Sequence, residues 1–101
     1  MQEIISRAKI QNALKGRNNL DIKLENIRRN GVMLGCSGFI TNKDNNKIVY
    51  INTEDTISYG YLFRYARHIK DYTGLTNRYA RTKIQLIRSV LELLENKKEV
   101  I

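Results

Sequence analysis

A period-two alternation followed by an Asn-Gly dipeptide is the feature that most constrains the fold of this chain. Leu20, Ile22 and Leu24 alternate with charged residues, which is typical of a strand buried on one side. Asn30-Gly31 comes next, and this dipeptide tolerates the positive φ angles that a type I′ turn requires at both central positions. The chain is therefore predicted to turn at Gly31 and to return as an antiparallel strand.

Two further segments extend this hairpin into a three-stranded antiparallel meander. The segment VMLGCSGFIT begins at Val32 and keeps most of its apolar residues on one parity, so Cys36 is predicted to lie in the core. A polar run over residues 42–46 makes the next turn, and KIVYIN at 47–52 returns as the third strand with apolar residues on both faces.

Two helices are predicted to flank the meander, one on each side of it in the sequence. The first spans residues 2–15 and ends at Gly16, a glycine suited to a helix C-terminus. The second spans residues 57–72 and begins at Asp55 or Thr56 as its N-cap. Helical spacing assigns four of its residues to the side that faces the core, namely Leu62, Tyr65, Ala66 and Ile69.

A last helix completes the prediction after a break at Gly74. It runs from Arg78 or Ala80 to Asn96, and residues 97–101 are predicted to be a loose tail. With 101 residues, 42% of them hydrophobic, the chain suffices for one compact domain over 1–101 with one core. The predicted fold class is α+β, with a helix, a three-stranded antiparallel meander and then two helices packed on the sheet.

The segment YGYLFRYARHIKDYTGLTNRYAR, residues 59–81, is the strongest functional signal. It holds six of the eight aromatic residues and five Lys/Arg residues against one acid, Asp71. Aromatic rings stack on bases and cations neutralise phosphates, although Tyr and Arg also dominate protein-protein hot spots. The predicted nucleic-acid or partner-binding residues are Arg64, Arg67, Lys70, Tyr72, Arg78, Tyr79 and Arg81, with Arg28 and Arg29 at the hairpin tip.

The positive charge of the chain is concentrated in its middle-to-late part. The formal net charge is +8, and residues 56–91 carry seven Lys/Arg residues but one acid. Such clustering is typical of proteins that bind nucleic acid or nucleoprotein, while a solvated basic face that maintains solubility is the simpler interpretation.

No catalytic residue, metal site or cofactor is predicted, and an enzyme ranks third among the hypotheses. His68 and Asp71 stand one helical turn apart in the predicted helix, a surface spacing that is seldom catalytic. The acids are scattered, which does not favour two-metal chemistry, and a single cysteine excludes an intramolecular disulfide or a multi-cysteine zinc site. The absence of an apolar run of signal-peptide or membrane-span type predicts a cytoplasmic protein with no membrane partner.

The predicted order of elements resembles a double-stranded-RNA-binding domain with an added C-terminal helix. That family places cations at the start of the helix after its sheet, and the resemblance implies recognition of RNA shape. Residues 56–61, at the corresponding position here, carry no charge.

Two sequence segments, VYINTED and RHIKDYTGLTNRYAR, resemble segments of small accessory proteins of phages and conjugative elements of low-GC Gram-positive bacteria. That group includes type II anti-CRISPR proteins, which inhibit Cas9 without catalysis by occupying its RNA- or DNA-binding surfaces or by blocking guide loading. The resemblance implies a mobile-element protein that engages nucleic acid or a nucleoprotein such as Cas9 with guide RNA.

The alternative hypothesis is a protein-protein module or a homodimer, whose basic surface binds an acidic protein partner. The last helix is apolar over about half its circumference and therefore needs two neighbours. The candidate dimer contacts are Ile84, Ile87, Leu91 and Leu94, or Leu86, Val90 and Leu93.

Overall fold

The protein is built on one antiparallel sheet, and its computed structural model describes residues 3–54, 60–72 and 76–95. The elements in these ranges are α1 (Arg7–Ala13), β1 (Leu20–Arg29), β2 (Val32–Asn42), β3 (Ile48–Asn52), β4 (Tyr61–Ala66), β5 (Arg78–Ala80) and α2 (Lys83–Glu95). The five strands pair in sequential order, each antiparallel to the next. The α+β class is confirmed, and the predicted meander is extended by two strands.

The β1–β2 hairpin forms where the sequence predicts it. Asn30 and Gly31 have φ angles of 54° and 78°, as a turn with two left-handed residues requires. The pairing register shifts by one residue between Ile27 and Arg28, which marks a β-bulge. Gly38 has a φ of 150° and packs so close to β1 that a Cβ would collide with the Lys23 carbonyl oxygen.

The helix predicted over residues 57–72 is wrong, because its central part is strand β4. Tyr61–Ala66 pairs with β3 on one side and with β5 on the other. Its alternate aromatics Tyr61, Phe63 and Tyr65 are buried, whereas Leu62 and Ala66 are half-buried on the opposite face. Aromatic residues favour strands, and two partner strands supply backbone hydrogen bonds that outweigh the helical spacing. The predicted N-cap residues lie outside the described residues.

The last helix begins later than predicted, at Lys83. Arg78–Ala80 instead forms the short edge strand β5, paired with residues 61–63. The hydroxyl of Thr82 accepts a hydrogen bond from the Gln85 amide at 3.1 Å, which caps the first turn of α2. The predicted break at Gly74 and the tail at 97–101 lie outside the described residues.

Both helices pack on one face of the sheet, which we call the covered face. α1 packs on β1 and β2, while α2 packs on β2 to β5. The core between these layers includes Cys36, which is fully buried, as predicted. Four of the proposed dimer residues, Leu86, Val90, Leu93 and Leu94, are also core residues and cannot contact a second chain.

The resemblance to a double-stranded-RNA-binding domain is therefore wrong in the order of elements. It required a helix directly after the third strand, and β4 and β5 follow β3 instead. Any recognition of RNA has to be argued from the sheet rather than from a cationic helix.

Candidate nucleic-acid interface

The face of the sheet opposite the helices, here called the open face, carries a row of four paired residues. Lys23 pairs with Phe39, Phe39 with Tyr50, and Tyr50 with Arg64. Residues paired in antiparallel strands project to the same face, so these side chains lie side by side across four strands. We call this set the aromatic row, in which two adjacent aromatic rings are flanked by one cation on each side.

Tyr72 packs against the two central rings of the aromatic row. Its ring centroid lies 5.4 Å from that of Phe39 and 5.8 Å from that of Tyr50, in edge-on arrangements. Phe39 and Tyr50 are 5.2 Å apart. Phe39 is 5% exposed although it does not belong to the core cluster, whereas Tyr72 remains 64% exposed. The cluster thus holds one widely exposed ring in a fixed position, and this ring belongs to Tyr72, one of the predicted binding residues.

Arg64 is not the exposed cation that the sequence predicts. Its side chain is 2% exposed and its guanidinium lies 4.7 Å from the Tyr50 ring centroid. It donates hydrogen bonds to the carbonyl oxygens of Tyr65 at 3.1 Å and Asp71 at 2.7 Å. A buried arginine needs such partners, because an unsatisfied buried charge is destabilising. Arg64 therefore anchors the turn that leads to Tyr72.

The turn from Arg67 to Tyr72 is held by the Asp71 carboxylate, which is buried. Asp71 accepts hydrogen bonds from the Arg67 backbone amide at 2.8 Å and from its guanidinium at 3.0 and 3.1 Å. This hydrogen bonding, with the charge of Asp71, raises the pKa of Arg67. Lys70 adopts a left-handed φ of 76° within the turn. The carboxylate is thus engaged with Arg67, and the backbone turn presents Lys70 and Tyr72 next to each other.

An open crevice of about 380 Å³ lies beside Tyr72 and is called the Tyr72 crevice below. Its apolar walls include Phe39 and Ile69, and Ile69 is 41% exposed rather than in the core as predicted. Its charged lining consists of three cations and one acid, namely Arg7, Lys23, Lys70 and Glu25. The crevice therefore combines an exposed aromatic ring with a positive surrounding.

Ion pairs neutralise most of the acids in the described ranges. Five of these carboxylates contact a cation within 4.0 Å. One of these contacts joins Lys23 to Asp21 at the long distance of 3.8 Å, between side chains that are about half exposed. Exposed ion pairs of this kind are weak. Lys23 therefore remains available for an anionic ligand, as does the exposed Lys70.

The other predicted binding residues lie elsewhere on the surface. Tyr79 is 38% exposed and pairs with Leu62, so it extends the open face across β5. Arg78 and Arg81 are exposed beside it. Arg29 forms an ion pair with Glu54 at 3.1 Å, and Arg28 lies five residues along β1 from Lys23, or about 17 Å at strand spacing. The hairpin tip is thus separate from the Tyr72 crevice.

Sequence reasoning missed Lys23, Glu25, Phe39 and Tyr50 as site residues. A signal for them existed in the parity of the two hairpin strands. A two-residue turn pairs Arg29 with Val32, so in a regular hairpin every odd-numbered residue of β1 would face an even-numbered residue of β2. Leu24 and Cys36 are both even-numbered and both lie in the core, which a regular hairpin does not allow. One extra residue in β2 brings them to the same face, and the bulge at Ile27/Arg28 supplies it.

Other kinds of site find no support in the parts of the chain that the structure describes. These parts contain no group of three metal-ligating side chains. Among them, no helix is long and apolar enough to cross a membrane. Comparisons with protein-family models, curated proteins and solved structures found no match.

Proposed function

We propose that this protein is a non-enzymatic, basic binding protein that engages nucleic acid, alone or in a nucleoprotein, through the open face around Tyr72. The observation that carries the proposal is the Tyr72 ring, 64% exposed and fixed against Phe39 and Tyr50 beside a crevice with three cations. No other ring in the described ranges combines this exposure with such a cationic surrounding.

Two physical effects support binding at this surface. A base stacked on an aromatic side chain contributes about 1–3 kcal/mol, and a ring that is already positioned loses little conformational entropy on binding. Cations that contact phosphates release condensed counterions, so affinity falls as salt concentration rises. Lys23 and Lys70 both line the crevice, so each can contact the phosphates of a bound strand.

The direct test is binding to fluorescently labelled RNA and DNA of about 12 nucleotides, a length within the range of known single-strand sites. Fluorescence anisotropy at ~50 and ~200 mM salt measures the dissociation constant and its salt dependence. Tyr72→Ala is expected to weaken binding at least about fivefold, because it removes the stacking ring.

Two variants control this test. Tyr72→Phe keeps the ring and is expected to bind like the wild type, while Val32→Ala trims a residue that is 56% exposed at the distant hairpin tip. Absence of binding at low salt, or equal binding by the wild type and Tyr72→Ala, would contradict the proposal.

The more specific form of the proposal is a cytoplasmic anti-CRISPR protein of a mobile element that interferes with Cas9 or its guide RNA. It is supported by the resemblance of VYINTED and RHIKDYTGLTNRYAR to such accessory proteins, and by a surface suited to guide RNA. Cas9 cleavage is measured with excess protein added before or after the guide. Normal cleavage in both orders would exclude Cas9 as the target, whatever the protein's affinity for free RNA.

A second candidate function is binding of an acidic protein segment in the groove between α1 and α2. Ile84 is 67% exposed, and it lines a groove of about 420 Å³ with Ala13, Ile87 and Leu91. Lys83 and Arg88 flank this apolar strip, so its charge complements an acidic amphipathic helix.

The groove hypothesis is tested with acidic amphipathic helical peptides and with light scattering. Ile84→Ser is expected to abolish peptide binding while RNA binding persists. A mass near twice 11.8 kDa would instead identify a second copy of this chain as the occupant. A clean monomer that binds no peptide would exclude both occupants.

A further inference from the structure

The Tyr72 crevice has the size and lining of a site for one nucleotide. Its volume of about 380 Å³ is at the lower end of the ~300–1,000 Å³ range of small-molecule sites. Tyr72 supplies the only widely exposed ring of the cluster, because Phe39 is 5% exposed and Tyr50 is half-buried. The Tyr72 ring therefore offers a stacking surface for one base.

A base inside a duplex cannot use such a ring. Its two faces are stacked on neighbouring base pairs and its pairing edge is occupied, so access to a side chain requires an unstacked nucleotide. The crevice is lined by the turn at Ile69, by β1 and β2, and by Arg7 and Gln11 of α1. The favoured ligand class is an unpaired nucleotide in a single strand, loop or bulge.

Glu25 is the feature of this crevice that phosphate binding does not explain. It is the one acid of the lining, it is exposed, and its carboxylate forms no ion pair or hydrogen bond with the residues that the structure describes. On the open face it pairs with Ser37, next to the Lys23–Phe39 pair. A carboxylate repels phosphate, but it accepts hydrogen bonds from the amino groups of bases.

We propose that the Tyr72 crevice binds one unpaired nucleotide whose base carries an exocyclic amino group, with Glu25 as the residue that selects it. The base stacks on Tyr72, its amino group donates to the Glu25 carboxylate, and Lys23 and Lys70 contact the flanking phosphates. Uracil and thymine present a carbonyl oxygen where cytosine presents an amino group, so the carboxylate disfavours them. This inference rests on the proposed nucleic-acid function and names the ligand of the same site.

The test compares two single strands that differ mainly in this group, oligocytidylate and oligouridylate of about 12 nucleotides. Anisotropy titrations of the intact protein at one salt concentration give the ratio of the two dissociation constants. The wild type is expected to bind oligocytidylate about five- to tenfold more tightly, in line with a hydrogen-bonded side-chain contact to a base.

Glu25→Gln tests the assigned residue, and Glu92→Gln is its matched control. Both substitutions remove one exposed negative charge, but Glu92 lies on α2, away from the crevice. Glu92→Gln is expected to tighten binding of both strands slightly and equally, which leaves the ratio of the two dissociation constants unchanged. Glu25→Gln alone is expected to bring the ratio towards one, because an amide both donates and accepts hydrogen bonds.

A mixed-sequence strand of about 12 nucleotides, alone and annealed to its complement, separates this inference from the proposed function. Tighter binding of the single strand and loss of cytosine preference in Glu25→Gln would support the inference. Equal binding of both homopolymers, a preference that survives in Glu25→Gln, or equal binding of single strand and duplex would overturn it while the nucleic-acid function stands. If no nucleic acid binds, both fail together.

Discussion

Tyrosines on the two faces of the sheet around strand β4 have different roles. On the covered face, Tyr61 and Tyr65 are at most 6% exposed, and their hydroxyl groups donate to the carbonyl oxygens of Glu3 and Leu93. On the open face, Arg64 stacks on Tyr50 and supports Tyr72, whose hydroxyl forms no hydrogen bond with the described residues. A tyrosine that is buried and hydrogen-bonded stabilises the fold, whereas a tyrosine ring that is exposed and packed against neighbouring rings can bind a ligand.

This difference predicts that stability and binding can be perturbed separately. The covered face is continuous with the core, so substitutions there are expected to change the free energy of unfolding. The exposed part of the open face contributes little burial, so substitutions there are expected to change affinity.

The largest expected effect is on the covered face. Leu86 is fully buried, and Leu86→Ala is expected to lower the free energy of unfolding by about 2–5 kcal/mol, because it removes buried methyl groups and leaves a cavity. Tyr72→Ala is expected to cost less than about 1 kcal/mol, since most of its ring is exposed. Urea unfolding followed by circular dichroism measures both values, and equal losses would remove the distinction between the faces.

The next largest effect is expected for Arg64→Ala, which tests whether Arg64 anchors the turn that leads to Tyr72. The substitution removes the two hydrogen bonds that Arg64 donates to the Asp71 and Tyr65 carbonyl oxygens, and it removes the guanidinium from the Tyr50 ring, so a loss of about 1–3 kcal/mol is expected. Arg64→Lys is expected to restore part of it, since an ammonium cannot reproduce the planar fork. Urea unfolding of the two variants decides this, and wild-type stability in Arg64→Ala would refute an anchoring role.

A smaller effect is expected from the exposed lysine of the crevice. Lys70→Ala removes one phosphate contact, so the slope of log affinity against log salt should decrease by about 0.7 for a single strand. Lys43→Ala removes the same charge from the turn after β2, outside the crevice, and is expected to leave the slope unchanged. Salt titrations by anisotropy compare the two, and equal slopes in both variants would contradict the assigned contact.

The smallest effect concerns the pH dependence of stability on the covered face. Burial raises the pKa of the Cys36 thiol, so the folded state holds this proton at a pH where the unfolded state releases it. The stabilising contribution is complete below the ordinary cysteine pKa and declines as pH rises through the raised value. Between about pH 7 and 9.5, the wild type should lose more stability than Cys36→Ala, by at most about 1.4 kcal/mol per pH unit. Unfolding curves at several pH values test this, and parallel profiles would contradict it.

The hairpin was predictable because its signals are local. Period-two alternation at Leu20 and the Asn30-Gly31 dipeptide depend on residues close in sequence, and the structure confirms both. The aromatic row depends in addition on the bulge at Ile27/Arg28, since a slip of one residue would pair Lys23 with Gly38 rather than Phe39. The alternation of apolar residues in each strand is visible in the sequence, but the position of the bulge is visible only in the structure of the paired strands.

The segment around β4 shows where local pattern is insufficient. Leu62, Tyr65, Ala66 and Ile69 fit a helical stripe, while Tyr61, Phe63 and Tyr65 fit a strand equally well. Pairing with β3 and β5 selected the strand, and this moved Arg64 from an exposed helix face to a buried position against Tyr50. The predicted cluster of Arg64, Arg67 and Lys70 therefore does not exist as a helix surface.

By itself, the sequence determined the α+β class, the first three strands and the burial of Cys36, since each follows from short-range spacing or composition. Tertiary structure alone decided that β4 and β5 complete the sheet and that Lys23, Glu25, Phe39 and Tyr50 meet the turn carrying Tyr72. The physical reason is that strand pairing and register are contacts between distant residues. Their free energy depends on the partner strand, which no local window of the chain contains.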